Sequence, residues 1–236
     1  MITVQIEKIQ PLQHNLSKME IQKQIKELLD TLPDHVSLVA VSKTKPNQDL
    51  EAAYQAGQRI FGENKIQEMT QKWEILPKDI EWHMIGHVQT NKVKYMAPYV
   101  TLIHGVDRYK LLKEINKQAA KNNRIIDCLL QVNIAEEETK FGFNRTELEE
   151  VVLDLKANPL PNVRVTGLMG MATFTENKDQ IRTEFKNLKN TSDWLQKHIQ
   201  EAKICSTGMS GDYELAIEEG STMIRVGSKI FGSRNY

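Results

Sequence analysis

The feature that most constrains this chain is the regular alternation of short apolar runs with longer segments of helical periodicity. The runs are rich in β-branched or large apolar residues and lie at 36–42, 59–61, 82–86, 101–106, 125–133, 163–169, 203–206 and 223–227. Between them, patterns such as LLKEINKQAAKNN and RTELEEVVLDLKANP repeat apolar residues three and four positions apart, which is typical of one helix face. The sequence therefore predicts eight strands separated by helices.

Strands that alternate with helices pair in parallel through right-handed crossovers, so the pattern predicts an α/β protein. Eight units of about 27 residues, after a leading helical segment that contains Pro11, fit a small (β/α)8 barrel. A doubly wound open sheet is the main alternative. The barrel is favoured because the chain has neither a GxGxxG nor a GxxxxGK[ST] motif. We predict a (β/α)8 TIM-like barrel with an N-terminal helical segment, as a single domain over residues 1–236.

The charge balance narrows the classes of partner. The chain has 31 Lys plus Arg and 31 Asp plus Glu, which gives a formal net charge of zero. Binding to nucleic acid or to a membrane surface depends on clustered cations, so neither is expected. No apolar run approaches the roughly 20 residues of a membrane-spanning helix, and the N-terminus lacks the order of a signal peptide. A cytoplasmic protein is therefore predicted.

Cysteine and histidine spacing gives no indication of a metal site. Cys128 and Cys205 lie in apolar segments without a CxxC motif, and we interpret them as buried free thiols. His83 and His87 are four residues apart, but a predicted strand end interrupts the helical face that a zinc-binding pair would need. No metal is expected.

Polar residues that packing alone would not select fall at the carboxyl ends of the predicted strands. Lys43 follows the first strand, Asn64 the second and Asn133 the fifth, while Met171 follows the sixth and Arg225 lies near the end of the eighth. In a barrel these ends meet at one mouth, where the sites of this fold are built. We therefore predict a single site at this mouth.

Lys43 carries the most chemical information of these residues. Apolar walls around a lysine at the barrel rim can leave its amine neutral and able to attack an aldehyde. Taken alone, Lys43 also has a simpler interpretation, in which its side chain extends from the strand end into water.

The segment STGMSGDYELAIEEG, after the predicted seventh strand, combines small hydroxyl residues and glycines with the start of a helix. Backbone N–H groups in such a segment can bind an anion, and phosphate sites in barrels recur after strands seven and eight. This predicts phosphate contacts from Ser206, Ser210, Gly227 and Ser228. A helix cap made by Ser210 or Asp212 is the alternative. An imine-forming lysine together with a phosphate site favours a phosphorylated aldehyde, of which pyridoxal phosphate is the commonest cofactor.

Arg225 decides the electronic character of such a site. A guanidinium inside a barrel is costly unless a ligand or a carboxylate binds it, and Glu218 or Glu219 is the candidate carboxylate. If Arg225 instead faces a pyridine nitrogen, it cannot accept the ring proton. The ring then stays neutral and is a poorer electron sink, which restrains carbanion chemistry.

Six blocks of the sequence carry a recognisable pattern in order: LVAVSKTKP at 38–46, FGENKIQE at 61–68, EWHMIGHVQTNK at 81–92, GLMGMATF at 167–174, STGMSGDYELAI at 206–217 and IRVGSKIFG at 224–232. Together they resemble the pyridoxal phosphate homeostasis protein family over nearly the whole chain. The resemblance implies the barrel of the alanine racemase N-terminal domain and pyridoxal 5'-phosphate as the cofactor.

The resemblance also implies roles for individual residues. It implies that Lys43 holds the cofactor as a Schiff base, that Arg225 is directed at the ring nitrogen and that Asn64 lies near the ring. The phosphate would be bound by Ser210, Gly227 and Ser228. Family members often carry threonine at the position of Ser228, and either hydroxyl can donate to a phosphate.

For function, the resemblance implies a protein that binds and supplies the cofactor in vitamin B6 homeostasis, without established catalytic turnover. The sequence ends at Tyr236, and one lysine supplies an acid/base group on only one face of the cofactor, whereas a racemase needs both. We therefore expect a monomeric binding protein, with apo forms of pyridoxal-phosphate-dependent enzymes as candidate partners. An amino-acid racemase or another pyridoxal-phosphate enzyme, or an aldolase acting through Lys43, is the alternative.

Overall fold

The computed structural model describes residues 17–135 and 141–232, so the predicted segment around Pro11 lies outside it. All eight predicted strands are present within these ranges and form a closed parallel barrel. They are β1 Ser37–Val41, β2 Ile60–Glu63, β3 Glu81–Met84, β4 Leu102–Val106, β5 Ile126–Gln131, β6 Val163–Met169, β7 Ile204–Ser206 and β8 Met223–Val226. The open-sheet alternative is wrong, because β1 pairs with β8 as well as with β2.

Helices follow the strands along the chain, as the periodicity predicts. They are α1 Lys18–Thr31, α2 Asn47–Gln55, α3 Ile66–Ile75, α4 Val93–Met96, α5 Tyr109–Lys121, α6 Arg145–Ala157, α7 Lys178–His198, α8 Tyr213–Glu218 and α9 Ser228–Phe231. A capping box of Ser17 and Glu20 begins α1, which buries Ile21, Ile25 and Leu28. The expected N-terminal helix is thus confirmed, and it packs against α2 and α9.

The barrel interior changes from apolar to polar toward the mouth. One level is filled by the buried cluster Val39, Leu102, Leu129, Met169 and Met223. Side chains along a strand alternate between its two faces, so a residue two positions further along points the same way. By this rule His104 follows Leu102 into the interior, and Arg225 follows Met223. The polar interior level therefore lies directly beneath the mouth.

The cysteines lie outside the mouth of the barrel. Cys128 and Cys205 are buried free thiols, as predicted, and burial raises the pKa of Cys205 to about 12. Among the helices of residues 17–135 and 141–232, none has the length and apolar character needed to cross a membrane. The same residues contain no group of three potential metal ligands from His, Cys, Asp and Glu.

Candidate functional site

A cavity of about 450 Å³ opens at the carboxyl ends of the strands, within the size range of small-molecule sites. Its wall is formed by the ends of β1, β2 and β8 and by the segments that follow β6, β7 and β8. Seven of the residues predicted from the sequence line it: Lys43, Asn64, Met171, Ser210, Arg225, Gly227 and Ser228. The structure therefore brings these six side chains and one glycine together at one mouth.

The turn that carries Lys43 is fixed by a buried polar cluster on the outer side of the barrel. Nζ of Lys72 donates to the carbonyl of Ser42 at 2.8 Å and to Oε1 of Glu68 at 2.7 Å. The same Glu68 oxygen accepts the backbone N–H of Thr44 at 2.6 Å. The residues on both sides of Lys43 are therefore held by one lysine and one glutamate of α3.

Glu63 completes this cluster at the end of β2. Its Oε1 accepts from the hydroxyl of Ser42 at 2.6 Å and from Nζ of Lys72 at 2.7 Å. Burial raises the pKa of the Glu63 carboxyl, although Lys72 and Ser42 act in the opposite direction. Sequence reasoning missed the cluster. The available signal was the block FGEN followed, on α3, by a lysine that sits on the buried face.

Thr44 has a left-handed backbone, with φ of 64°. A β-branched residue in this region costs about 1 kcal/mol, whereas asparagine tolerates it. We expect Thr44→Asn to raise the free energy of unfolding by about 1 kcal/mol in urea denaturation. Asn123 has φ of 51°, so Asn123→Thr should lower it by a similar amount. Unchanged stability in both variants would contradict strain at the turn.

Arg225 is held inside the barrel with only 5% of its surface exposed. Nη1 donates to the carbonyl of Ser206 at 2.9 Å and to its Oγ at 2.6 Å, and Nη2 donates to the carbonyl of Gly170 at 3.1 Å. Burial lowers the pKa of the guanidinium to about 10. These bonds use three of its five N–H groups, so two have no partner in the described part of the chain.

Two expectations around Arg225 need correction. Ser206 does not line the cavity, because its side chain turns into the barrel interior, where the hydroxyl contacts Arg225 and is buried. A phosphate contact from Ser206 is therefore not supported by its position. The proposed ion pair of Arg225 with Glu218 or Glu219 is also wrong, since both carboxylates bind Arg182, at 2.7 and 2.6 Å.

The segments after β7 and β8 form a polar corner of the cavity. Oγ of Ser210 accepts the backbone N–H of Gly227 at 3.1 Å, which joins the two segments. A Cβ on Gly227 would lie 3.2 Å from the carbonyl oxygen of Val41, so glycine permits this close approach. The backbone N–H groups of Ser210, Gly211 and Ser228 have no hydrogen-bond partner in the part of the chain that is described. The corner therefore presents several donors to an anion.

The helix-cap alternative for this corner is wrong. Asp212 precedes α8 but makes no side-chain cap, and α9 also lacks one. Instead, Oδ1 of Asp212 accepts the N–H of Met209 at 2.6 Å and closes the loop on itself. Gly208 has φ of 95°, and a Cβ there would lie 2.6 Å from that of Ala216. The small residues of this segment thus shape the loop rather than begin the helix.

Asn64 contributes a buried polar atom to the cavity wall. Its Oδ1 has no hydrogen-bond partner within residues 17–135 and 141–232. A buried, unsatisfied amide oxygen costs free energy unless a ligand binds it, and rotation of the amide presents N–H groups instead. Asn133 has a similarly unpartnered Oδ1 but does not line the cavity. Asn64 is therefore the better candidate for a ligand contact.

The cavity combines three kinds of chemistry. It offers an amine from Lys43, a cluster of backbone N–H and hydroxyl donors, and a guanidinium with uncommitted N–H groups. Met171 and Ile85 add apolar wall. In the described ranges its lining contains no His, Tyr, Cys or Glu side chain. This set suits a small ring compound that carries an aldehyde, an anionic group and a hydrogen-bond acceptor.

Comparison with known proteins gives consistent matches. The family model for the alanine racemase N-terminal domain matches residues 16–235. A pyridoxal phosphate homeostasis protein of Aquifex aeolicus is 45% identical over 204 residues, covering 84% of this chain and 87% of that protein. The structure of PipY from Synechococcus elongatus with PLP bound has a TM-score of 0.81 and 32% identity, covering 90% of this chain and 100% of PipY. An alanine racemase of Streptomyces coelicolor, 16% identical with a TM-score of 0.78, shares the fold alone and covers 92% of this chain and 59% of the racemase.

Proposed function

The chain belongs to the family of pyridoxal phosphate homeostasis proteins, and we propose that it binds pyridoxal phosphate as a reversible Schiff base on Lys43. The supporting observation is the cavity at the mouth of the barrel, whose wall carries a lysine amine, an anion-binding corner and a buried guanidinium. Such a protein stores and supplies the cofactor. Its proposed setting is the cytoplasm, as a monomer that binds neither nucleic acid nor membrane, with apo enzymes as candidate recipients.

The covalent step needs only the lysine and the aldehyde. Nζ of Lys43 adds to the aldehyde carbon, a C=N bond forms and the aldehyde oxygen leaves as water. Addition of water reverses the step and releases the aldehyde unchanged. No oxidant, reductant or second substrate is consumed, so the linkage suits storage and release.

The polar corner would bind the phosphate. The backbone N–H groups of Ser210, Gly211 and Ser228, together with the hydroxyls of the two serines, offer donors to its oxygens. Gly227, which has no Cβ, would let the end of β8 lie close enough to contribute donors to the phosphate. Charge-assisted hydrogen bonds of this kind are each stronger than neutral ones, so the phosphate contributes much of the affinity.

The ring would be oriented by the remaining wall residues. Arg225 would donate one of its two uncommitted N–H groups to the ring nitrogen, and Asn64 would bind the ring oxygen. Met171 would pack against the ring face. A guanidinium cannot take up the ring proton, so the ring would remain unprotonated and stabilise carbanions poorly.

The lining residues favour binding over catalysis. Racemisation needs acid/base groups on both faces of the cofactor, and the described wall offers no histidine, tyrosine, cysteine or glutamate for the second face. Two other titratable groups of the wall already have partners, since Asp212 accepts the N–H of Met209 and Nζ of Lys45 donates to the carbonyl of Phe231. The enzyme alternative predicts exchange of the α-proton of some amino acid with deuterated solvent, which NMR detects. Exchange that depends on Lys43 would overturn the assignment as a binding protein.

We expect the phosphate to be required for tight binding. The apo chain, titrated with pyridoxal phosphate, should develop a visible absorption band, while pyridoxal without its phosphate should bind at least about 100-fold more weakly. Inorganic phosphate should compete with pyridoxal phosphate for binding. Equal dissociation constants for the two aldehydes would contradict an anion-binding corner. Absence of any band with pyridoxal phosphate would contradict the proposed function itself.

A further inference from the structure

Four polar side chains form a continuous series of contacts across the barrel interior. Nη1 of Arg225 lies 2.6 Å from Oγ of Ser206, which lies 3.3 Å from Nδ1 of His104. Nε2 of His104 in turn lies 3.1 Å from Nδ1 of His83. The residues come from β8, β7, β4 and β3, and none is more than 5% exposed. We call them the Arg225–His83 chain.

The donors and acceptors give this chain one direction. Arg225 only donates, so Oγ of Ser206 accepts from it, and the serine hydrogen is left for Nδ1 of His104. Nδ1 is then unprotonated, Nε2 carries the hydrogen and donates it to Nδ1 of His83. In the reverse order Ser206 would accept twice, and its own hydrogen would have no acceptor in a buried site, which costs free energy.

The charges agree with this direction. Burial lowers the pKa of His83 to about 3. Burial lowers the pKa of His104 as well, and the nearby His83 and Arg225 lower it further. Both rings are therefore neutral near pH 7, so Nδ1 of His104 can accept. A cationic His104 would be repelled by Arg225.

The Arg225–His83 chain also explains how Arg225 is held without a carboxylate. Within the described ranges its hydrogen bonds go to Ser206 and Gly170, and it makes no ion pair. Neutral partners fix the guanidinium without neutralising it. They also leave two N–H groups uncommitted, at a residue that lines the cavity.

We propose that His104, supported by His83, is a positioning residue that acts through Ser206 to aim Arg225 at the ring nitrogen of the bound cofactor. The identity of that acceptor rests on the proposed function. The order of hydrogen bonds in the Arg225–His83 chain does not rest on the proposed function, because this order is a property of the cofactor-free protein. Two measurements therefore separate the two claims.

The first measurement is NMR of the cofactor-free protein labelled with ¹⁵N in histidine. We expect His83 and His104 to be neutral between pH 6 and 8, each with its hydrogen on Nε2. Ser206→Ala should shift the Nδ1 signal of His104. The control is Ser192→Ala, another buried serine, which lies on α7 outside the strands, and it should leave both histidines unchanged. A hydrogen on Nδ1 of His104 would overturn the proposed direction.

The second measurement is the dissociation constant for pyridoxal phosphate. Ser206→Ala and His104→Leu should each raise it about tenfold, the usual effect of losing one hydrogen bond to a charged group. His104→Gln should largely restore it, because an amide supplies one acceptor and one donor. Ser192→Ala should not change it. Equal dissociation constants for the two serine variants would overturn the positioning role. Failure of the unsubstituted protein to bind would overturn the proposed function and this role together, while the histidine spectra would still decide the order of the hydrogen bonds.

Discussion

Lys43→Arg is expected to abolish the visible absorption band that forms with pyridoxal phosphate. Arginine keeps the positive charge at the mouth of the cavity but has no amine that can form a C=N bond with the aldehyde. The phosphate contacts remain, so the variant should still bind the cofactor, reversibly and without the band. Absorption spectroscopy and equilibrium dialysis measure the two properties separately.

Lys45→Arg is the matched control for this prediction. Lys45 also lines the cavity, but its Nζ donates to the carbonyl of Phe231 at 2.7 Å, which holds the amine at the barrel rim. The band should therefore persist in Lys45→Arg. Survival of the band in Lys43→Arg, together with its loss in Lys45→Arg, would show that the Schiff base forms on Lys45 and not on Lys43.

Acidification from pH 7 to pH 5 is expected to lower the free energy of unfolding by about 2 kcal/mol through His83 alone, and to lower it further through His104. In the unfolded chain both rings take up a proton near pH 6.5. In the folded chain the pKa of His83 is lowered to about 3, and the pKa of His104 is also lowered by burial. The unfolded state therefore binds more protons, so stability is complete above pH 6.5 and is lost as the pH falls toward the folded pKa.

Urea denaturation at a series of pH values measures this loss. His83 contributes a slope of up to about 1.4 kcal/mol per pH unit below pH 6.5, and His104→Gln should remove the additional slope that the buried His104 ring contributes. His198 is exposed, and His198→Gln is the control for a histidine substitution outside the barrel interior. Equal slopes for His104→Gln and the unsubstituted protein would show that His104 is not buried as a neutral ring.

The fold could be predicted from the sequence because its determinants are local. Each β-branched run is short and lies between segments of helical periodicity. Because strands and helices alternate along the chain, few folds are compatible with its length. The carboxyl ends of parallel strands meet at one edge, which is why Lys43, Asn64 and Arg225 could be assigned to a common mouth. Their convergence follows from topology alone.

The positions of Ser206 and His104 could not be predicted in the same way. Whether a strand residue faces the interior or the helices depends on the register of the whole barrel. Strand β7 has only three residues, Ile204–Ser206, which are too few to show from their pattern which of them face inward. Contacts across the interior depend in addition on how far the strands are staggered. His83 and His104 are 21 residues apart, and nothing local to either indicates that they touch.

The cluster that holds the turn after β1 was missed for a related reason. Lys72 lies on a helix whose surface lysines are expected to reach water, and its burial against Glu63 and Glu68 depends on how α3 packs on the barrel. A buried ammonium with two carboxylates is a tertiary feature. Only the structure shows that it supports the segment that carries Lys43.

The most direct test of the central claim is borohydride reduction of the protein loaded with pyridoxal phosphate, followed by mass spectrometry of its peptides. Reduction converts a C=N bond to a stable C–N bond and fixes the cofactor to its lysine. We expect one equivalent of cofactor on the peptide that contains Lys43, and none on that peptide in Lys43→Arg. Modification at another lysine, or no modification after reduction, would contradict it.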